Sequence, residues 1–355
     1  MSSPLASAGI SGYQSKTVTF KSTADGDIKA EVFYPENLTS ASRVPVLIHY
    51  HGGFLIVGDR FAFLPYWLVH ACAARGWVFV SPEYRLLPET TAHAAVEDAV
   101  DAYDWVLESL SSLLDRPIGP ILVAGSSAGG YLALTTATAA SMSPKKSPAG
   151  VLAVYGMLDP ANERYTTPGT NIFGRPAVDV RPILNGFPKA TASGTDDRQV
   201  ISAYAVSDPA TDKRFSLVSA LHLDAIFPDY LTGVDGLSRA IATDGPGAIA
   251  KEHAALFPLN FGDFGPGFPP VMLLHGANDS AVPVSCSAVA AEKLRSCGIS
   301  VVADFPVDAE HGWDTRAGNV DVESSDADGV NAVESLRSAV RFLADSVASA
   351  VGGRK

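Results

Sequence analysis

Five residues, Gly125-Ser-Ser-Ala-Gly129, constrain this chain more than any others because of what stands on either side of them. Before them runs the apolar stretch Pro120-Ile-Leu-Val-Ala124, and after them residues 131–140 form a helix-favouring run. The order is strand, tight turn, helix. Glycines at 125 and 129 remove the Cβ atoms that would clash in a sharp turn, and the central serine is then thrust out at the strand tip. It stands near a helix N-terminus, where free N–H groups favour developing negative charge. The bare pattern is weak evidence, since a chain with 31 glycines in 355 residues would contain one by chance in roughly one case of four. Its setting, and what else the chain carries, make it informative.

The rest of the sequence fits that setting. Short apolar runs alternate with longer helical patterns, which predicts an α/β fold with a mostly parallel central sheet covered by helices on both faces. Residues 16–21 and 28–34 alternate like half-buried antiparallel strands at a sheet edge. Residues 44–50, 77–81, 121–124, 151–155, 271–275 and 299–305 read as central strands. Helices are expected at 66–75, 92–110, 128–140, 285–297 and 329–348. Between about residues 160 and 270 no strand is evident, and the segment is rich in proline, glycine and aromatics such as Phe227, Tyr230, Phe257, Phe261, Phe264 and Phe268. A structureless loop of that length does not suit a compact domain. The expected organisation is a core of residues 1–159 and 270–355, to whose cap the N-terminal segment can contribute, and an inserted, mainly helical cap of residues 160–269.

Composition narrows the partners. With 47% hydrophobic and 18% charged residues the chain has the make-up of a well-packed globular protein, and its net charge of −12 argues against nucleic acid or an anionic membrane surface. The first ten residues lack the basic and apolar parts of a signal peptide, and no run approaches a transmembrane span. Cys72, Cys286 and Cys297 have no metal-ligand spacing and read as buried free thiols of a reducing compartment. A cytoplasmic protein with no metal and no cofactor, acting as a monomer or homodimer on a small molecule, is the expectation.

Three further segments turn the pentad into a candidate catalytic apparatus. His49-Tyr-His51-Gly52-Gly53-Phe54 leaves the strand 44–50. Its backbone N–H groups could receive an oxyanion without side-chain rearrangement. Leu273-Leu-His275-Gly-Ala-Asn-Asp279 puts a carboxylate just past a strand tip, and Asp308-Ala-Glu310-His311-Gly312-Trp313 follows the next strand. The order nucleophile, acid, histidine is that of α/β-hydrolases and differs from the two protease orders. Ser127 is the candidate nucleophile, His311 the base and Asp279 the acid that orients it. Asp308 and Glu310 compete with Asp279, but their backbone belongs to the histidine loop itself. His275 lies close in sequence to Asp279, which makes it an unobvious partner for that carboxylate. His51 reads as a loop-ordering residue, with Gly52, Gly125 and Gly129 in supporting roles. His70, His93, His222 and His253 fall in helical or cap patterns.

With these residues in place, the chain resembles the hormone-sensitive-lipase-like group of α/β-hydrolases, which includes many carboxylesterases. Besides the triad, Tyr84-Arg-Leu-Leu-Pro-Glu89 and Ala94-Ala-Val-Glu-Asp98 are similar to that group's Tyr-Arg-Leu-Ala-Pro-Glu segment and its Ala-Ala-Val-x-Asp continuation. The likeness covers residues 44–155 and 270–315 and leaves the cap unmatched. It implies an α/β-hydrolase fold and an oxyanion hole formed by the N–H groups of Gly53, Phe54 and Ala128. Two departures stand out. Phe54 replaces the last glycine of the usual His-Gly-Gly-Gly, which restricts the backbone and takes room in the acyl pocket. Ser126 stands where the group often has an acidic residue.

The expected activity is hydrolysis of carboxylic esters of small to medium apolar substrates through an acyl-enzyme. Two other readings compete. One is a non-hydrolytic lyase, condensation or cyclisation using the same oxyanion hole and histidine, which Phe54 faintly favours. The other is a non-catalytic small-molecule receptor, which the intact triad disfavours.

Overall fold

The computed structural model describes residues 10–37, 43–141, 147–191, 198–206 and 208–352. Residues 1–9, on which most of the N-terminal reading rests, lie outside them. Among the described residues, β1 (Tyr13–Thr23), β2 (Gly26–Pro35), β3 (Val44–Tyr50), β4 (Val78–Pro82), β5 (Ile118–Ser126), β6 (Gly150–Val154), β7 (Val271–Leu274) and β8 (Val301–Asp304) form one sheet in the order β1-β2-β4-β3-β5-β6-β7-β8. β1 pairs antiparallel with β2 and β2 with β4, and every later neighbour is parallel. The fold is that of α/β-hydrolases.

The central strands are continuous apolar runs because both of their faces are buried. Val46, Ile48, Val123, Val151, Ala153 and Leu273 face one core, and Leu47, Leu122, Ala124, Leu152, Met272 and Leu274 the other. Helices α2 (Ala92–Leu114), α3 (Ala128–Ser141) and α10 (Val284–Ser296) close the first face through Tyr103, Val106, Leu132 and Leu294. Helices α1 (Tyr66–Arg75) and α11 (Val333–Gly352) close the second through Trp67, Leu68, Leu336 and Val340. The last helix starts four residues later than the hydrophobic spacing suggests, after a turn at 327–332. Cys72 and Cys286 are buried free thiols as expected, but Cys297 is exposed at the C-terminus of α10, where no core covers it.

Between β6 and β7 the chain forms short helices: α4 (Glu163–Thr166), α5 (Val180–Gly186), α6 (Phe215–Leu223), α7 (Phe227–Thr232), α8 (Leu237–Asp244) and α9 (Pro258–Phe261). Phe227, Tyr230, Phe257, Phe264 and Phe268 are buried in the same core as α2 and α3, whereas Phe261 is exposed. The insert is therefore packed onto the sheet domain. Arg214 ties it down: its guanidinium donates to the Ile56 carbonyl at 2.7 Å, to the Leu87 carbonyl at 2.5 Å and to both oxygens of Glu89 at 2.8 and 2.6 Å. Such a buried fork keeps its value because every charge on it is paired and hydrogen-bonded.

The motif residues quoted above have structural duties that their sequence did not disclose. Arg85 holds Asp98 from its backbone N–H and its guanidinium at 2.7–2.9 Å, which fixes the entry of α2. The Tyr84 hydroxyl donates to the His51 carbonyl at 2.9 Å, and its ring stacks on the His51 ring with 4.2 Å between centroids.

Candidate active site

Ser127 caps β5 in the left-handed region, at φ 57°, a conformation that costs a non-glycine residue of order 1–3 kcal/mol. The surroundings enforce it. A Cβ on Gly125 would stand 2.0 Å from the Gly129 carbonyl oxygen, and one on Gly129 would stand 1.9 Å from that of Tyr50, so only glycine fits at both positions. The Ser127 N–H donates to the Val154 carbonyl at 2.9 Å, and its own carbonyl accepts from Gly130 and Met157 at 3.0 and 3.1 Å. The hydroxyl is left free: among the described residues the buried Ser127 Oγ has no hydrogen-bond partner. Its neighbour Ser126 is occupied by His49 Nε2 at 3.1 Å.

The turn leaving β3 lies against this elbow. A Cβ on Gly52 would meet the Ser127 Cβ at 3.3 Å and the Ser126 carbonyl oxygen at 3.2 Å. Gly53 has φ 111°, and Phe54 and Leu55 follow at 58° and 61°. The Gly53 carbonyl accepts from Ile56 and Val57 at 2.9 and 3.1 Å, which closes the turn. Among the described residues the N–H groups of Gly53, Phe54 and Ala128 donate to no protein acceptor. For Ala128, the first residue of α3, that is the ordinary orphan donor of a helix start. His51 orders the turn by donating from Nδ1 to the Gly52 carbonyl at 2.7 Å. Burial pushes the His51 pKa down to about 4, against the pull of that carbonyl, so the ring is neutral. The Phe54 ring is buried, meets His222 edge-on at 5.0 Å and lies 6.3 Å from the His311 ring.

Asp279 follows β7, and His311 follows β8. His311 Nδ1 lies 2.7 Å from Asp279 Oδ2. A carboxylate at that oxygen only accepts, so Nδ1 carries a proton and Nε2 is the nitrogen not engaged by Asp279. The other oxygen, Oδ1, accepts from the Ala281 and Val282 N–H groups at 2.8 Å each. Burial pushes the Asp279 pKa up, but the hydrogen bonds from His275 and His311 outweigh it and hold the carboxyl well below the usual range. Asp308 and Glu310 are exposed.

His275 corrects the sequence reading, which saw it as an unobvious partner of Asp279. The turn after β7 folds back so that His275 Nε2 lies 3.2 Å from Asp279 Oδ2 and 2.9 Å from the Val282 carbonyl. Nε2 must donate there, and Nδ1 shares a hydrogen bond with the Ser287 hydroxyl at 2.7 Å. Spacing of four residues gives no warning of this, since it is the turn and not a helix that joins them.

Other residues were not visible in the sequence as part of the site. The Tyr155 ring packs 4.4 Å from the His311 ring, and its hydroxyl donates to the buried Asp314 at 2.5 Å, which also takes the Trp67 indole N–H at 3.0 Å. Burial raises the Asp314 pKa against these two bonds. Ser127, His311, Gly52, Gly53 and Phe54 share one cavity of about 430 Å³ whose remaining walls are Phe63, Ser126, Tyr155, Phe173, Arg175, Pro209, Phe215, Gly312, Thr315 and Arg316. Asp279 lies behind His311, outside the lining. One imidazole and no carboxylate or thiol reach this surface, so the donor set suits acyl chemistry better than metal binding.

The comparisons agree with this architecture. The sequence model of the alpha/beta hydrolase fold matches residues 47–199. The match spans less than half of the chain and, with the sheet order above, shows an α/β-hydrolase fold. Among solved structures, the Pyrobaculum calidifontis esterase is similar over 95% of this chain and 85% of its own, at 22% identity and a TM-score of 0.58. A bacterial heroin esterase is similar over 94% and 85%, at 20% identity and a TM-score of 0.61. Among curated proteins, the non-reducing polyketide synthase prhL of Penicillium brasilianum is 28% identical over 92% of this chain, which spans only 14% of the synthase. Among the described residues no helix is long and apolar enough to cross a membrane.

Proposed function

We propose that this chain is a serine hydrolase that cleaves carboxylic esters through an acyl-enzyme. The observation that carries the reading is His311, paired with Asp279 at 2.7 Å, sharing a cavity with a serine on a strained strand-to-helix turn. In this reading His311 Nε2 takes the Ser127 proton as Oγ attacks the carbonyl, and Asp279 stabilises the imidazolium. The N–H groups of Gly53, Phe54 and Ala128 receive the oxyanion. His311 then protonates the leaving group, and water repeats the sequence to release the acid. The missing Ser127–His311 hydrogen bond is no obstacle, since such bonds are often long before substrate binds. Residues 160–269 act as the cap: Phe173, Pro209 and Phe215 wall the cavity and suit a small to medium apolar substrate. The direct test is turnover of p-nitrophenyl acetate and butyrate by the wild type and by Ser127→Ala. Activity that survives in Ser127→Ala, or no activity on a broad panel of acyl esters, overturns the reading.

A second reading is favoured by one observation, the alignment of 92% of the chain with a segment of a polyketide synthase. The same histidine and oxyanion donors, without the serine as nucleophile, could stabilise an enolate and serve a condensation or cyclisation of a polyketide instead of hydrolysis. A Ser127→Ala variant that keeps activity on such a substrate, while His311→Ala loses it, would select this alternative.

A further inference from the structure

The cavity is apolar and aromatic except for two cations. Arg175 and Arg316 are the formal charges on its lining, and no carboxylate joins them there. In a chain of net charge −12 that is an inversion of the average surface. Each guanidinium is held by one of its nitrogens. Arg175 Nη1 donates to the Pro209 carbonyl at 3.2 Å while its head lies 5.2 Å from the Phe215 ring centre and 5.8 Å from that of Phe173. Arg316 Nη1 donates to the His311 carbonyl at 2.7 Å. Among the described residues neither arginine forms an ion pair. Asp208 lies close enough to Arg175 for the two charges to attract, but its carboxylate bonds to the Ala210 N–H and the Thr211 hydroxyl and leaves the guanidinium's donors free. Two fixed forks with spare donors on an otherwise apolar wall are suited to a planar or tetrahedral oxyanion.

Their position says which part of a substrate meets them. In acyl transfer the general acid protonates the departing atom, so the leaving group lies beside the histidine. Arg316 is bonded to the backbone of His311, and Arg175 stands two residues past Phe173, whose ring is 5.8 Å from the His311 ring. Resting on the hydrolase reading above, we propose that the substrate's leaving group carries an anionic group, phosphate or carboxylate, which Arg175 and Arg316 bind at the mouth of the cavity.

The test compares kcat/KM within pairs of butyryl substrates that differ in leaving-group charge. S-butyryl 4′-phosphopantetheine against S-butyryl pantetheine probes phosphate, and 3-carboxyphenyl against 3-carbamoylphenyl butyrate probes carboxylate. Preference for the charged member by about tenfold is expected in at least one pair, which identifies the anion, and it should shrink as salt screens the site. The ratio falls towards one in Arg175→Gln/Arg316→Gln and is partly kept in the corresponding double lysine variant. Ratios near one in both wild-type pairs, or a ratio the glutamine variant leaves unchanged, overturn the proposal. So does a stronger preference for an acyl-side anion, read with p-nitrophenyl hydrogen glutarate against p-nitrophenyl butyrate. If no butyryl substrate turns over and a fluorophosphonate leaves Ser127 unlabelled, the hydrolase reading fails and takes this one with it. Turnover without charge preference sinks this one alone.

Discussion

The cavity has two walls made in opposite ways. On the sheet side Ser127, Gly53 and Phe54 are set by the backbone: positive φ angles, glycines with carbonyl oxygens at 1.9–2.0 Å from where a Cβ would be, and hydrogen bonds between strand ends. On the insert side Phe173, Pro209 and Phe215 come from short helices and turns, without the close-packed glycines of the sheet side. A wall built from strained backbone has almost no tolerated alternatives, because a wrong residue moves several strands at once. A wall built from side chains can change size and charge one residue at a time. On the proposed hydrolase reading, the difference gives reaction to the first wall and selectivity to the second.

The comparison can be broken most severely on the sheet side. Ser127→Ala is expected to lower kcat on p-nitrophenyl butyrate by on the order of 10⁴–10⁶ with an unchanged circular-dichroism spectrum. His311→Ala should match it, and the double variant should be no worse than either single one. Next in size is Gly129→Val. Its Cβ would overlap the Tyr50 carbonyl oxygen at 1.9 Å, and a loss above about 3 kcal/mol, or failure to fold, is expected in urea denaturation. Normal stability in that variant would show that the elbow is looser than its geometry.

Acid should act on both sides through buried imidazoles, His49 and His51 beside the sheet and His222 on α6 of the insert. Burial pushes His49 and His222 down to about 3 and His51 to about 4. The unfolded chain takes up these protons near pH 6.5 and the folded chain only at the lower values, so their contribution is complete above pH 6.5 and is lost as pH falls towards 4. Urea midpoints measured from pH 7.5 to 4.5 should fall by an amount on the order of 1 kcal/mol per pH unit for each histidine. His222→Gln should flatten that slope, and a flat wild-type profile would contradict the burial.

Smaller effects sharpen the contrast. His275→Ala removes one of the donors on Asp279, and kcat should drop about tenfold with KM little changed, since the buried carboxylate loses a partner. Phe215→Ala, on the insert side, should raise KM for butyrate about three- to tenfold and leave acetate nearly untouched, because it removes apolar wall distant from a short acyl chain. An equal effect of Phe215→Ala on kcat for both esters would erase the distinction between the two walls.

Much of the sheet side was legible because its signals are local. A glycine pair around Ser127, apolar runs of strand length and the order Ser127, Asp279, His311 each appear within a few residues or in simple succession. The strands fell within a few residues of expectation, for the alternation of buried faces is written into every second side chain. Less local facts escaped. The partnership of His275 with Asp279 depends on a turn that folds back on itself. Asp314 reads as an ordinary surface acid after a tryptophan until Tyr155 and Trp67, far away in sequence, close over it. The exposure of Phe261 and Cys297 depended likewise on what failed to cover them.

By itself the sequence determined the kind of sheet and the elbow and named the groups proposed to react, because backbone geometry and periodic burial are short-range and leave marks in neighbouring residues. Only the tertiary structure decided what surrounds them: the aromatic wall from the insert, the second histidine on Asp279 and the two arginines at the mouth. Some of those contacts join residues more than a hundred positions apart, as Phe173 and His311 are, and others, such as His275 with Asp279, depend on how a turn folds back; their energy comes from packing and hydrogen bonding that no periodic pattern records.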